Sequence, residues 1–365
     1  MNIAIIGGGV YGLCTAFALL QRGYRSITLF ESGSWPNPNA SSHGHSRITR
    51  SAYSSSFYVY LMQEAHNISW PALEKALGTP LLHPCSGIFF GPEDGLIQQY
   101  QSAVHEAGAR VEPIPTKKAS TRFPQFSFSS NDVILFDETA AVIAAQKTIS
   151  GLLRYLKEHN VSLRPQTRVE SVQGNTLIFD GKEHVFDQIV CCAGPWTNQL
   201  FPELEGILRP HRQRVFYMEA HDGYNISAPN FPVWVEVGHR MDENWYGLPQ
   251  FGQQGFKVAH HRLGGTVDDP DAVSIIQEEH RNDVRNKVRE RIPAGTGLII
   301  DEELCIYTMK DNEDFLIDRL SSNPHVVVAG GFSGHGFKLA PRCADIIVDV
   351  LEQKPTPSRF QFLNQ

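Results

Sequence analysis

The sequence predicts a mixed α/β fold, α+β over two interleaved domains, and three stretches carry that prediction. Residues 2–31 read as strand, glycine-rich turn, helix, strand and acid. Residues 161–190 read as short strands joined by tight turns, and residues 209–260 as an antiparallel sheet. Residues 326–338 then return to a β run and a second glycine-rich turn, so the first domain is expected to be completed from the far end of the chain.

The opening stretch is the most constrained. Ile3 to Ile6 is an apolar run, Gly7-Gly8-Gly9-Val10-Tyr11-Gly12 is the turn, and Leu13, Ala16, Leu19 and Leu20 share a helical face until Gly23 stops it. Gly7 permits a tight turn, Gly9 lets a pyrophosphate approach bare backbone, and Gly12 lets helix and strand pack closely. The helix N-terminus adds N–H groups and a positive dipole end. Glu31, after the second strand, stands where a carboxylate accepts both hydroxyls of an adenosine ribose and disfavours a 2′-phosphate. This is a Rossmann-like dinucleotide site at which NADP is disfavoured while FAD and NAD stay open.

A chain of 365 residues suits two domains, and 41% hydrophobic with 19% charged residues describes an ordinary globular protein. No apolar run approaches the ~20 residues of a membrane span. The net charge of −7 comes without a basic block, which argues against a nucleic-acid partner. The first strand starts at residue 2 with no charged and apolar leader before it, so a cytoplasmic location is expected. The six cysteines, Cys14, Cys85, Cys191, Cys192, Cys305 and Cys343, form no CxxC pair and, apart from Cys305, read as small buried hydrophobes.

Further along, Ser41-Ser42-His43-Gly44-His45-Ser46-Arg47-Ile48-Thr49-Arg50 places two arginines three apart at the expected start of a helix or turn. They can present fixed positive charge to an anion; a solvated polar loop explains them equally well. His43 and His45 have no third ligand at zinc-like spacing, so no metal is expected. Helical patterns run from Tyr60 to Ala76, from Gly95 to Ala107 and from Ala140 to His159, the last with Ile143, Ile149, Leu152, Leu153 and Leu156 as its stripe.

Four short strands are expected at 161–163, 167–172, 176–179 and 185–190, the last running into Cys191-Cys192-Ala193-Gly194-Pro195-Trp196. A flavoprotein with two dinucleotide-binding motifs adds a small antiparallel sheet in this manner, whereas a nicotinamide dehydrogenase continues with βα units. The pattern favours FAD. Hairpin signals at Gly223-Tyr224-Asn225 and at Gly252 to Gly255 divide the later antiparallel stretch, and Ser274 to Ile292 is an amphipathic helix with Val284, Val288 and Ile292 inward. The helix opening near Gly336 can set its dipole against the pyrimidine edge of a flavin.

With Ser41 to Arg50, Tyr246-Gly247 with Lys257 and His261, Cys305-Ile306-Tyr307-Thr308, and Gly331 through Lys338 assembled, the chain resembles the monomeric sarcosine oxidase family. That family includes N-methyltryptophan, pipecolate and bacterial fructosyl-amino-acid oxidases and falls among D-amino-acid-oxidase-like FAD-dependent oxidoreductases. The likeness covers essentially the whole length. It implies an FAD-binding Rossmann-like βββαβ domain of residues 1–84, 140–208 and 300–365, and an interleaved antiparallel-sheet substrate domain of residues 85–139 and 209–299.

The resemblance also implies roles. Cys305 matches the cysteine that forms a thioether to the flavin 8α-methyl, making FAD covalent. Lys257 matches the lysine that contacts flavin N5 through water and promotes reaction with O2. Arg50 and Lys338 match the pair that holds the substrate carboxylate, and Ser46 and Arg47 match positions beside the flavin ring. Tyr246, His261 and Tyr307 match residues that shape the pocket and bias the amine toward its neutral form. Lys257, Arg47 and His261 form the expected catalytic set. Cofactor contacts are expected from Gly7, Gly9, Val10, Tyr11, Gly12, Glu31, Ser42, His43, Ser46, Arg47, Val169, Gly194, Trp196, Cys305, Gly331, Gly334, His335, Gly336, Phe337 and Lys338.

The implied reaction is oxidation of a secondary α-amino acid, N-methyl or otherwise N-substituted, by O2 to an imine that hydrolyses, with release of H2O2 by a monomer. A pipecolate, proline or fructosyl-amino-acid oxidase, or a flavin amine dehydrogenase using another acceptor, are the alternatives. Three departures bear on which amine is used: His45 where sarcosine oxidases carry aspartate, a polar loop at residues 250–254, and Ser54-Ser55-Ser56 in place of a charged stretch.

Overall fold

The computed structural model describes residues 1–261 and 264–362. Its central six-stranded sheet runs in the order Leu316–Arg319, Val326–Gly330, Gln188–Cys191, Asn2–Ile6, Ser26–Phe30, Ser162–Arg164. All neighbours are parallel except the first pair. A parallel sheet is covered on both faces, which is why Ile3 to Ile6 and Val326 to Val328 are apolar without alternation. On one face the helices Val10–Gln21, Ala145–Glu158 and Ala340–Leu351 pack through Leu13, Ile149, Leu152 and Ile347. On the other, the antiparallel meander Ser171–Gln173, Thr176–Phe179 and Lys182–Val185 brings Leu177 and Phe179 against Ala4, Ile6 and Ile189.

The second sheet has eight strands in the order Gly295–Met309, Arg209–Ala220, Phe256–His260, Trp245–Leu248, Val233–Glu236, Gly87–Pro92, Asp132–Asp137, Val111–Pro113. It is antiparallel except where Val233–Glu236 meets Gly87–Pro92. One face is a core of Phe216, Trp234, Phe256 and Val258, against which the helix Glu278–Arg291 packs Val284 and Val288. The other face looks toward the first sheet and carries the chemistry.

Several local expectations are corrected. Residues 167–169 form no strand, and Ser162–Arg164 joins the parallel sheet instead of the meander. Residues 141–144 begin no helix. They are a strand between Ser46–Thr49 and Leu82–Pro84, and the helix starts at Ala145. An apolar run of four residues satisfies either period, and pairing with two neighbours selects the strand. Arg47 likewise lies in a strand, Ser46–Thr49, and not at a helix start. Gly223 to Asn225 makes no hairpin, because Arg209–Ala220 pairs with Phe256–His260 and Gly295–Met309 and not with Val233–Glu236. The expected boundary at residue 300 falls inside one 15-residue strand paired along its length with Arg209–Ala220, so residues 300–309 belong to the larger sheet. Among the described residues no helix is long and apolar enough to cross a membrane.

Candidate active site

Between the two sheets lies a cavity of about 950 Å³. Its floor follows from the opening motif. Gly7, at φ +103°, turns the chain where an added Cβ would sit 2.3 Å from the Cys192 carbonyl oxygen, and a Cβ on Gly12 would sit 1.9 Å from that of Gly7. Gly9 precedes the helix Val10–Gln21 and contributes no side-chain cap, so the helix presents backbone N–H groups and its dipole to the cavity. Ser42 Oγ accepts the Val10 N–H at 3.0 Å. Glu31 is buried; its Oε2 accepts the Gly8 N–H at 3.0 Å, and its Oε1 accepts the Gly33 N–H at 2.8 Å and Asn37 Nδ2 at 2.9 Å. The second glycine turn closes over this floor: the Tyr11 ring stacks on Phe332, and the Tyr11 hydroxyl donates to the Gly336 carbonyl at 3.1 Å.

The wall is one face of the larger sheet. Side chains alternate along a strand, so Glu303, Cys305 and Tyr307 point the same way, and the register across the sheet adds Val215, Lys257, Tyr246, Leu248 and Val235. Tyr246 and Tyr307 share a hydrogen bond of 2.7 Å between their hydroxyls. Lys257 is buried, its ammonium 5.1 Å from the Tyr217 ring, while the Tyr217 hydroxyl donates to Glu303 at 3.0 Å. Burial first, then the Arg47 charge, lowers the Lys257 pKa to about 8, with Glu303 and Cys305 opposing. Burial raises the Cys305 thiol, against which Arg47 and Lys257 pull downward. Arg47 is held by the backbone carbonyls of Ser46, Ser41 and His43 at 2.8, 2.9 and 2.5 Å.

Farther along the cavity, Arg50 lies over the rings of Tyr53, Phe89 and Tyr100, its guanidinium carbon 4.3, 5.2 and 5.7 Å from their centres. Its Nη1 is buried and makes no hydrogen bond. Lys338, 7% exposed, donates to the Tyr53 hydroxyl at 3.3 Å, and burial with the nearby Arg50 charge holds its pKa well below the usual lysine range. Half-buried Arg50, with its enclosed and unbonded Nη1, and buried Lys338 thus set two basic side chains at this end of the cavity.

The cavity is lined by most of the residues singled out above, including Val10, His43, Ser46, Val169, Gly194, Trp196, His261, Gly334, His335 and Phe337. Gly12 and Gly331 do not line it: Gly12 packs against Gly7, and Gly331, at φ +64°, turns the chain beside Lys310. His45 and residues 250–254 also lie outside it, leaving Ser54 and Ser55 as the departures that line the cavity. Glu303, Tyr53 and Glu313 are among the lining residues that carry no motif. Glu303 is legible as the same-face neighbour of Cys305, two residues upstream, and Tyr53 follows Arg50 by three. Glu313 sits in a turn with no periodic signal at all.

A cradle for a diphosphate beside a pocket for an acid is the arrangement of a flavin-type oxidoreductase. The chain belongs to the FAD dependent oxidoreductase (DAO) family, which it matches over residues 2–350. It is 30% identical over 366 residues to human peroxisomal sarcosine oxidase, covering 97% of this chain and 92% of that one. It is 27% identical to N-methyl-L-tryptophan oxidase of Yersinia pestis over 98% of this chain and 96% of that protein. Among solved structures, NikD, an unusual amino acid oxidase of nikkomycin biosynthesis, superposes with a TM-score of 0.83 at 19% identity over 99% of this chain and 96% of that chain. Amadoriase I of Aspergillus fumigatus gives the same score and identity over 99% and 89%. The protein is thus an FAD-dependent oxidoreductase of the sarcosine and N-methyltryptophan oxidase type. Its residues fit that cofactor: side-chain-free backbone at Gly7 and Gly9 for the pyrophosphate, a helix N-terminus behind it, and at Glu31 a buried carboxylate with acceptor capacity left on Oε2.

Proposed function

We propose that this protein is a cytoplasmic, monomeric oxidase that converts a secondary or N-substituted α-amino acid to an imine, with O2 as electron acceptor and H2O2 and the hydrolysed imine as products. The observation that carries the reading is the Arg50 and Lys338 pair, two basic side chains lining one cavity, Lys338 buried and Arg50 half-buried with an enclosed guanidinium nitrogen that makes no hydrogen bond. A carboxylate there gains charge-assisted hydrogen bonds and relieves an uncompensated buried charge. Names of relatives support the amine: sarcosine and N-methyl-L-tryptophan are both N-methyl amino acids.

Gly7, Gly9 and Glu31 would hold the dinucleotide portion, and Arg47, Lys257 and Cys305 would face the ring. When bound, FAD supplies a two-electron acceptor for the carbon beside the amine. Arg50 and Lys338 orient the substrate by its acid, fixing which C–H bond is presented. The Tyr246 and Tyr307 hydroxyls, tied to each other, border the space left for the amine. Lys257 and Arg47 add positive charge where negative charge develops. Cys305 lies at a cavity-facing position of the strand Gly295–Met309 and would anchor the flavin through its sulfur. Acid precipitation should leave the yellow colour in the pellet of the wild type and release it to the supernatant for Cys305→Ser; a colourless wild-type pellet would rule out covalent attachment.

A peroxide assay across sarcosine, N-methyl amino acids, proline, pipecolate and fructosyl amino acids tests the function. At least one is expected to give stoichiometric H2O2. Turnover of carboxylate-free amines alone would overturn the reading.

A further inference from the structure

We propose that Glu313 is a positioning residue that makes His261 the acceptor of the proton a bound substrate ammonium must shed. This rests on the proposed amine oxidation. His261 and Glu313 both line the cavity, and His261 Nε2 lies 3.1 Å from Glu313 Oε1, with the two side chains 14% and 12% exposed. A carboxylate accepts only, so Nε2 carries the hydrogen and Nδ1 is left with the lone pair. The imidazole is fixed from its backbone as well, since the His261 N–H donates to the Asn244 carbonyl at 2.7 Å.

Glu313 is itself held in an unusual way. Its φ of +59° is the left-handed region, which side chains other than Gly, Asn and Asp rarely adopt. The surroundings enforce it. The Glu313 N–H donates to the Lys310 carbonyl at 3.1 Å, and its own carbonyl accepts from His335 Nε2 at 3.0 Å. His335 is kept neutral, its pKa pushed down to about 3 by burial and by Lys338, so with Nε2 donating its Nδ1 is the acceptor for the Tyr53 hydroxyl, at 3.2 Å. Tyr53 in turn receives the Lys338 ammonium. The turn that aims the Glu313 carboxylate at His261 is therefore pinned to the carboxylate-binding end of the same cavity. An acid seized by Arg50 and Lys338 and an amine facing His261 are thereby set at a fixed relation.

A substrate arriving as a zwitterion has no lone pair on nitrogen, and the C–H bond beside it is not activated until the ammonium is deprotonated. The N–H bond breaks toward His261 Nδ1, the electron pair stays on the substrate nitrogen, and the new imidazolium lies against the Glu313 carboxylate. No electron moves in this step and no co-reactant is needed. The charged and titratable groups around the pair are His260 and Lys257 on the strand that leads into His261, Tyr307 with its ring centre 6.3 Å from that of His261 and Tyr246 bonded to it, Tyr53 and His335 on the Glu313 side, and the cavity-lining Asp242 and the Arg359 and Asp314 ion pair.

The test compares wild type, Glu313→Gln and Glu313→Asp as holoenzymes. Glutamine keeps shape and acceptor but not charge; aspartate keeps charge, tolerates positive φ and shortens the reach. In Glu313→Gln, kcat at pH 7 is expected to fall about tenfold or more and to recover at alkaline pH, so that the apparent pKa of the kcat profile rises by about one, while KM for the carboxylate substrate changes little. Glu313→Asp is expected to restore part of the loss. ¹⁵N-histidine spectra should show His261 with its proton on Nε2 in the wild type and as a mixture of tautomers in Glu313→Gln. An unshifted pH profile, or an equal loss at every pH with raised KM, would overturn the inference while leaving the function standing. A wild type that oxidises no secondary amino acid would overturn both.

Discussion

Lys257→Met is expected to slow consumption of O2 by the substrate-reduced enzyme by about 10²–10³-fold, the range found when one preorganised electrostatic group is removed. Anaerobic bleaching by substrate should stay within a few-fold. The separation follows from position: Lys257 lies on the sheet wall with Glu303 and Cys305, within the field of Arg47, while the cations proposed to hold the acid are Arg50 and Lys338. Its lowered pKa adds a pH signature. The ammonium is present below about pH 8 and lost above it, so the wild-type oxygen rate should fall as pH rises through 8 and the variant's should be flat there. Stability has the same origin with a different window. Burial disfavours charged Lys257 in the folded state only, so a penalty is full below pH 8 and fades as pH rises toward the unfolded value near 10.4. Cofactor-free Lys257→Met should therefore be more stable at pH 7, by on the order of 3 kcal/mol by denaturant titration, with the gain shrinking at pH 10. Oxygen kinetics and stability both unchanged would show that the ammonium is solvated and idle.

Arg50→Met should cut kcat/KM for amino-acid substrates by about 10²–10³-fold, the cost of breaking a buried charge pair. Simple amines of the same N-substitution should lose only a few-fold. Methionine keeps contact with Tyr53, Phe89 and Tyr100, so the aromatic box need not collapse. Stopped-flow reduction with matched pairs, with and without the carboxylate, reads the difference. Equal losses for both classes would place the acid elsewhere.

The parts of the molecule legible in sequence are those where backbone chemistry leaves one solution. Gly7 and Gly12 admit no Cβ, and the strand, helix and acid around them follow at fixed spacing, so the nucleotide cradle could be read directly. The resemblance carried most of the pocket, and the cavity does bring Arg50, Tyr246, Lys257, His261, Cys305, Tyr307 and Lys338 together from distant segments. Pairing was less legible. Residues 141–144 are apolar in any conformation, and only the partners Ser46–Thr49 and Leu82–Pro84, far away in sequence, make them a strand. Gly223 suggested a hairpin because turn chemistry is local, whereas the choice of neighbour belongs to the whole sheet. Glu313 was invisible for the same reason. Nothing near it in sequence signals that a turn is pinned by His335 and aimed at His261.

The stack of Tyr11 on Phe332, with the Tyr11 hydroxyl on the Gly336 carbonyl, carries a consequence for biogenesis. The floor of the nucleotide cleft, residues 2–31, is synthesised well before its cover, residues 326–338, and Val326–Gly330 inserts beside Gln188–Cys191 only then. A nascent chain stalled before residue 326 is accordingly expected to expose Gln188–Cys191 as an open sheet edge and to leave the cleft without its cover.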